Sequence, residues 1–553
     1  MLGSRTVIVL AAAAIGLSVG LGGAVFLLRE PVKPSEPAGQ ASLQPAPVLV
    51  PAKPEAQQTA PSEAAVSPTK RNPGLETVDC WFIPHPDIPS KCVHLFVREN
   101  RDNPASPLRR LSAVVFQSRS AAKEPPLAFL VGGPGEPARI GPGELDRWWS
   151  WIAEDEWLRG RDLVVLDGRG VGMSEPDMSC PEMANAGLSI FRDGTPLPET
   201  AERWRQAGQA CAARLRANGI DLAQYNTRTI TADLRQLLSE LRYDSWYLFG
   251  VSFGTRAALA FMRDYPQGTR GAILDSVYPP TVQAYVQSAQ SAAGAFNAVF
   301  KQCEANPACR KAYPDLARKF ETVVRRAERT PYTVVLDSAD KPTLKLDGVR
   351  LIEVLFYAFY GWRDIREIPA AIAALEAGDA QPLVKLATAA LRFYEWQGAS
   401  HGLFLAVACS DELPANPRQA VAAEAAREPL FEAFALSNPP LSACPSDNGQ
   451  TASVATERGL PTAAIPILML AGELDPITPP TWAANTAKQL PAATLVRFGA
   501  VGHGVVSSHS CADRLIAEFL RDPSKPPFDP CQLALGAPDF TVGTAPRGNG
   551  RGR

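Results

Sequence analysis

"WYLFGVSFGTRAALAFMRDYP", residues 246–266, sets an apolar run, a Gly-Val-Ser-Phe-Gly turn and a helix-forming run in succession. That order is the setting the pattern G-x-S-x-G needs to mean something. A serine on a sharp strand-to-helix turn has its hydroxyl exposed at the strand end, and side chains in place of the flanking Gly250 and Gly254 would crowd the adjoining elements. The pattern occurs again as "GLSVG", Gly16 to Gly20. Ser18, however, falls inside the most apolar stretch of the chain, where a helix and not a turn is expected. Ser252 is therefore the candidate nucleophile.

A serine hydroxyl attacks well only when a base takes its proton. The chain has five histidines, His85, His94, His401, His503 and His509. His503 stands in a glycine-flanked turn, "VGHGV", directly after the apolar run "ATLVRF". His509, in "SSHSC" at a helix start, is its rival. An imidazole in that role needs a carboxylate to fix its tautomer and balance its charge. Asp475, just past the strand in "LMLAGELDPITPP", is the candidate, with Glu473 and Asp275 as rivals. Negative charge developing on a substrate oxygen must also meet preorganised N–H donors. "FLVGGPGEPA" supplies a strand followed by bare backbone, so Gly133 and Phe253 are the expected oxyanion donors.

Around these residues short apolar runs alternate with helical stretches. "LSAVVFQS", "PLAFLVGG", "RDLVVLDGRG", "DSWYLFGVS", "RGAILDSVYPP", "AAIPILMLAGELD" and "ATLVRFGAVGHG" read as strands. Leu234, Leu237, Leu238 and Leu241 share a helix face between two of them. Such alternation predicts an α/β fold: a mostly parallel sheet covered by helices, with ligands at the carboxyl ends of its strands. "LDGRGVGMSEP" fails the dinucleotide fingerprint G-x-G-x-x-G, because Met173 and Glu175 stand where the third glycine would be. A tight loop near the site is the expected reading.

Segments divide by composition. Residues 6–28 are 23 uncharged residues after Arg5, about 34 Å as a helix, enough for a bilayer core. This predicts a signal anchor, a cleaved signal peptide being the alternative; either way the body is exported. Residues 29–74, rich in Pro, Ala, Glu and Gln, read as a disordered tether, and residues 536–553 as a disordered tail. The expected core runs over 75–278 and 459–535, interrupted by a helical cap over 279–458. A net charge of −2 provides no field for nucleic acid.

The ten cysteines, even in number and without a C-x-x-C, fit an oxidising compartment better than a metal site. Pairing sequence neighbours gives Cys80–Cys92, Cys180–Cys211, Cys303–Cys309, Cys409–Cys444 and Cys511–Cys531, although sequence alone leaves the connectivity open.

"LVGGPG", "LVVLDGRGVGMSEP", "YLFGVSFGTRAALAFMRDYP", "AVACSDE" and "AGELDPITP…GHG" together resemble the serine aminopeptidases typified by proline iminopeptidase and tripeptidyl aminopeptidase. The resemblance runs from about Val78 to Cys531, and its closing segment is similar to the tripeptidyl-aminopeptidase-like C-terminal region. It implies an α/β-hydrolase core with a helical cap, the chain order Ser252, Asp475, His503 for the triad, and cleavage of short units from peptide N-termini. No metal or organic cofactor is implied. Val131 stands where proline iminopeptidases usually have histidine, and Gly168 where they often have glutamine, which weakens any expectation of proline specificity.

An aminopeptidase must bind a free ammonium, and the resemblance implies carboxylates drawn partly from the cap. Asp411 and Glu412 in "ACSDELP" are the candidates, a structural acidic pair being the alternative. Three readings follow: a serine aminopeptidase acting on peptides, an esterase or amidase with the same triad, and a non-catalytic binding module on the same scaffold. The released unit's length, its side-chain preference and the oligomeric state are left open by the sequence.

Overall fold

The central parallel strands form because their residues are apolar on both faces. Trp246–Val251 is buried at every position, as is Ile467–Gly472. The computed structural model describes residues 72–120, 123–336, 342–395, 398–445 and 458–542. The membrane-length run 6–28 and most of the predicted tether lie outside the described residues, among which no helix is long and apolar enough to cross a membrane.

The strands are β1 (Gly74–Val78), β2 (Ser90–Arg98), β3 (Leu108–Phe116), β4 (Glu124–Leu130), β5 (Arg161–Leu166), β6 (Trp246–Val251), β7 (Thr269–Asp275), β8 (Tyr332–Val335), β9 (Thr343–Leu346), β10 (Ile467–Gly472) and β11 (Ala493–Phe498). Nine make one sheet in the order β1-β2-β3-β5-β4-β6-β7-β10-β11, and β8 pairs with β9 apart from it. The first three and β5 pair antiparallel, whereas β5, β4, β6, β7, β10 and β11 run parallel. This is the sheet of an α/β-hydrolase. One face packs Leu248, Ala272 and Met469 against Leu234, Leu237 and Leu238 of the helix Thr227–Glu240. The other packs Phe129, Phe249 and Leu470 against Trp148 and Phe519.

A helical layer follows β7 and ends before β10, built around an aromatic cluster of Phe296, Phe320, Phe359 and Phe431. It also takes in two helices read with the core from sequence. Phe191 of Pro181–Asp193 stacks on Tyr394 at 4.5 Å, and Gly208 of Leu197–Ala217 lies against Ala443. Two boundaries move. Gly74, read as the last tether residue, opens β1 opposite Phe96 because the edge strand offers it a ladder. The tail read as disordered from 536 packs as far as residue 541: Phe540 is buried, Thr541 N–H donates to the Arg366 carbonyl, and the Thr541 carbonyl accepts from the Tyr313 hydroxyl. Disulfides join Cys80–Cys92, Cys180–Cys211, Cys303–Cys309, Cys409–Cys444 and Cys511–Cys531.

Candidate active site

Ser252 sits between β6 and the helix Phe253–Asp264 with φ 56° and ψ −121°, fully buried. A non-glycine residue in that region costs about 1–3 kcal/mol, and it persists only where neighbours over-determine it. Here they do. Ser252 N–H donates to the Asp275 carbonyl at 2.9 Å, and its own carbonyl accepts from Thr255 N–H (2.9 Å) and Thr255 Oγ1 (2.6 Å). Thr255 Oγ1 in turn accepts from Tyr278 N–H. Gly254 has to be glycine, since a Cβ there would meet the Leu130 carbonyl oxygen at 2.1 Å. That approach sets the start of the helix beside the end of β4 and the Gly132–Gly135 loop.

His503 lies in the loop after β11, buried, with Nδ1 2.8 Å from Asp475 Oδ2. Its Nε2 is buried without a protein partner. Asp475 accepts at Oδ1 from Ile477 and Thr478 N–H, so its unshared geometry is fixed by its own turn. Thr478 Oγ1 donates to Asp475 Oδ2 at 2.6 Å and lies 3.2 Å from His503 Nδ1. Sequence reasoning missed Thr478; its only signal is its place three residues after Asp475.

The rivals have other occupations. Glu473 pairs with Arg497 at the surface. His509 Nδ1 accepts from Cys511 N–H at the start of the helix Cys511–Arg521. Asp275 accepts from Val505 and Val506 N–H, while Ser276 Oγ accepts from Gly504 N–H. Burial raises the Asp275 carboxyl, and these amides draw it back down. Residue 275 thus holds the serine turn through its carbonyl and the histidine loop through its carboxylate.

Gly133 has φ +107°, and Phe253 is the first residue of its helix, where N–H groups lack an intrahelical acceptor. Phe253, Gly132 and Gly135 line one cavity of about 60 Å³. The exit of the glycine loop is clamped by Asp167, which accepts from Ala138 and Met173 N–H; burial pushes its carboxyl up to about 6. Arg169 of "DGRG" makes a two-point pair with Asp233 and bonds the carbonyls of Glu99 and Gln224, a strut between loops. A second cavity, of about 550 Å³, reaches Asp475 and is lined by Trp482, Gln287 and Asn485 among others.

The cap touches these loops directly. His503 N–H donates to the Phe359 carbonyl at 2.9 Å, and Tyr360 meets the His503 ring edge-on at 5.3 Å. Ser400 N–H donates to the Gly135 carbonyl at 2.8 Å.

Of the two acids expected to bind an ammonium, Asp411 has another occupation. Asp411 Oδ2 accepts from Thr227 N–H (2.8 Å) and Oγ1 (2.6 Å), closing the start of a helix. Glu412 is buried facing Tyr278 and Tyr285, where burial raises its carboxyl and Arg256 draws it down. Arg256 itself lies over the Tyr278 ring at 5.1 Å. Asp411 is committed to that helix start, whereas both carboxylate oxygens of Glu412 are buried without a hydrogen-bond partner among the described residues.

Comparisons with known proteins find the following likenesses. Residues 429–531 match the model of the TAP-like protein family. The serine protease Hip1 of Mycobacterium tuberculosis (strain ATCC 25618 / H37Rv) is 24% identical over 466 residues, covering 79% of this chain and 86% of its own. Carboxylesterase B of the same strain is 25% identical over 469 residues, covering 79% and 85%. Among solved structures, an α/β-hydrolase fold protein from Chitinophaga pinensis matches with TM-score 0.34 at 13% identity, covering 78% of this chain and 97% of its own. The chain is a serine hydrolase of the α/β-hydrolase fold, with a TAP-like closing segment.

Proposed function

We propose that this hydrolase is an exported serine aminopeptidase that releases short N-terminal units from peptides through an acyl-enzyme. Ser252 attacks the scissile carbonyl, His503 takes its proton and returns it to the leaving amine, and Asp475 holds the imidazole tautomer. Gly133 and Phe253 N–H groups receive the oxyanion. The observation supporting this acyl-enzyme chemistry is the buried His503–Asp475 contact at 2.8 Å, its Nε2 unspent, on a loop anchored to the same Asp275 that anchors the Ser252 turn.

Peptide substrates are supported by the similarity to Hip1 and to the TAP-like family. Export is supported by the pairing of all ten cysteines and by the membrane-length run at residues 6–28. Similarity to Carboxylesterase B, at 25% identity over the same share of the chain, keeps an esterase as the second reading.

The test compares aminoacyl- and tripeptidyl-naphthylamides with their N-acetyl forms and with short acyl esters. Turnover of the free-amine substrates that falls on acetylation supports the aminopeptidase. Turnover of esters alone overturns it in favour of the second reading.

A further inference from the structure

The carboxylate behind the imidazole is held by one residue at both of its oxygens. Thr478 N–H donates to Asp475 Oδ1 at 2.9 Å, and Thr478 Oγ1 donates to Asp475 Oδ2 at 2.6 Å. Oδ1 takes a further amide, Ile477 N–H, at 2.8 Å. Oδ2 is also the oxygen that meets His503 Nδ1, at 2.8 Å. Thr478, Asp475 and His503 are all buried. A hydroxyl and a ring N–H therefore share one oxygen of a carboxylate that water does not reach. We propose that Thr478 is a positioning residue that sets the basicity of His503, by sharing the carboxylate oxygen on which the imidazole depends. This inference rests on the reading of Ser252, His503 and Asp475 as a triad and adds to it the residue that tunes its base.

The tautomer follows from these contacts. An ionised carboxylate only accepts, so the hydrogen between Oδ2 and the ring is carried by Nδ1, and Nε2 is left to take the serine proton. On the strength of that base the hydroxyl has two opposed effects. As a donor to Oδ2 it draws charge from the oxygen that would stabilise an imidazolium, which weakens the base. As an oxygen 3.2 Å from Nδ1 it offers the ring N–H a second acceptor, which strengthens the base. The first effect prevails. Hydrogen bonds to an ionised group are roughly twice as strong as neutral ones. Nδ1 has one hydrogen, Oδ2 is its nearer acceptor, and 3.2 Å is the long end of the range for such a bond.

The other groups around His503 are independent of Thr478. Asp275, within electrostatic reach of the ring, gives its carboxylate to Val505 and Val506 N–H and to Ser276 Oγ. Tyr360 meets the ring from the cap, and burial pushes its hydroxyl well above the usual phenol range, which keeps it neutral. Glu473, beside Asp475 in sequence, pairs with Arg497. On the histidine loop itself, His509 accepts from Cys511 N–H. A substitution at Thr478 therefore reads the contact between Asp475 and His503.

The experiment measures the rate constant for inactivation by a fluorophosphonate across the range in which imidazole titrates, about pH 5 to 8. The probe reports on the serine and its base whatever the natural substrate is. Wild type, Thr478→Val, Thr478→Ala and Thr478→Ser are compared, with Ser252→Ala as control. Rates rise as the imidazole loses its proton. In Thr478→Val that rise should move to higher pH by about half a unit to one unit, so that rates on its acid side fall about three- to ten-fold while the plateau changes less. Thr478→Ala, which adds no methyl group, should move it likewise and covers the case in which valine disturbs the packing. Thr478→Ser keeps the hydroxyl and should restore the wild-type position. The low-field proton NMR signal of His503 Nδ1–H, followed against pH, should show the same displacement.

A rise that stays in place in the hydroxyl-free variants, or moves to lower pH, overturns this inference and leaves the triad standing, whatever the variants' melting temperatures. So does a displacement that Thr478→Ser fails to reverse. A wild type that the probe leaves unlabelled, or a Ser252→Ala enzyme labelled at the wild-type rate, overturns the triad reading and this inference with it.

Discussion

On the sheet side, the serine turn and the histidine loop hang from one residue at the end of β7. Asp275 gives its carbonyl to Ser252 N–H and its carboxylate to Val505 and Val506 N–H. On the helical side the corresponding contacts are single backbone bonds from separate segments, Phe359 to His503 and Ser400 to Gly135. Behind them lie large aromatic side chains, such as Phe296 against Phe359. The sheet side fixes atoms through directional bonds at adjacent strand ends, and the helical side encloses them by packing. Bonds that share one anchor fail together, whereas packed contacts fail one at a time.

The largest expected effect lies on the sheet side. Ser252→Ala should lower kcat by about 10⁴-fold or more, since a triad acts as a unit. Active-site labelling of wild type by a fluorophosphonate, absent in the variant, checks the assignment. Full turnover by the alanine enzyme would end it.

Asp275→Asn comes next. It keeps the shape but replaces one carboxylate oxygen by a donor facing an N–H, so the histidine loop loses its hold. A fall in kcat of about 10²-fold with little change in KM is expected, as for a loss of positioning. A variant with full kcat would show that the shared anchor is dispensable.

A smaller effect tests the cap. Burial holds the His401 imidazole down at about 4, next to the Ser400 bond to Gly135. A histidine kept neutral in the folded state contributes stability above its unfolded pKa near 6.5, and this is lost as pH falls from there through about 4. That loss amounts to about 3 kcal/mol. Denaturant titrations from pH 7 to pH 4 should show that loss, and His401→Leu should flatten it. An unchanged slope in the leucine variant would place the titrating group elsewhere.

The smallest effect probes the contact between the two sides. A Cβ on Gly502 would meet the Phe359 carbonyl oxygen at 2.1 Å, so Gly502→Ala must push the cap from the histidine loop. A fall in kcat of about 10-fold is expected, with melting lowered by a few degrees. If rates stay at wild type, the cap bond to His503 is ornamental and the sheet side alone positions the imidazole.

The parallel strands were legible because a strand buried on both faces is a run of apolar residues, as "WYLFGV" and "ILMLAG" are. The antiparallel β2, "SKCVHLFVR", escaped that reading because its Lys, His and Arg interrupt the run. The turn at Ser252 was legible because its constraints are local: a strand before, a helix after, and glycines on either side. Asp411 was misread for the opposite reason. In "ACSDELP" it looks like an exposed acid, and the backbone it serves is at Thr227, 184 residues away. In the tail, glycine and proline outweighed Phe540, whose single ring is buried in the helical layer.

The bond from His503 to the Phe359 carbonyl has a consequence for traffic. Raising that part of the lid to admit a peptide would take away a support of the very ring that moves the proton, so the open form would be disarmed. Chemistry and access are then mutually exclusive at residue 359. A gate that swings during turnover would have to hinge there and lift from its far side, around the segment that carries Ser400 and Leu403.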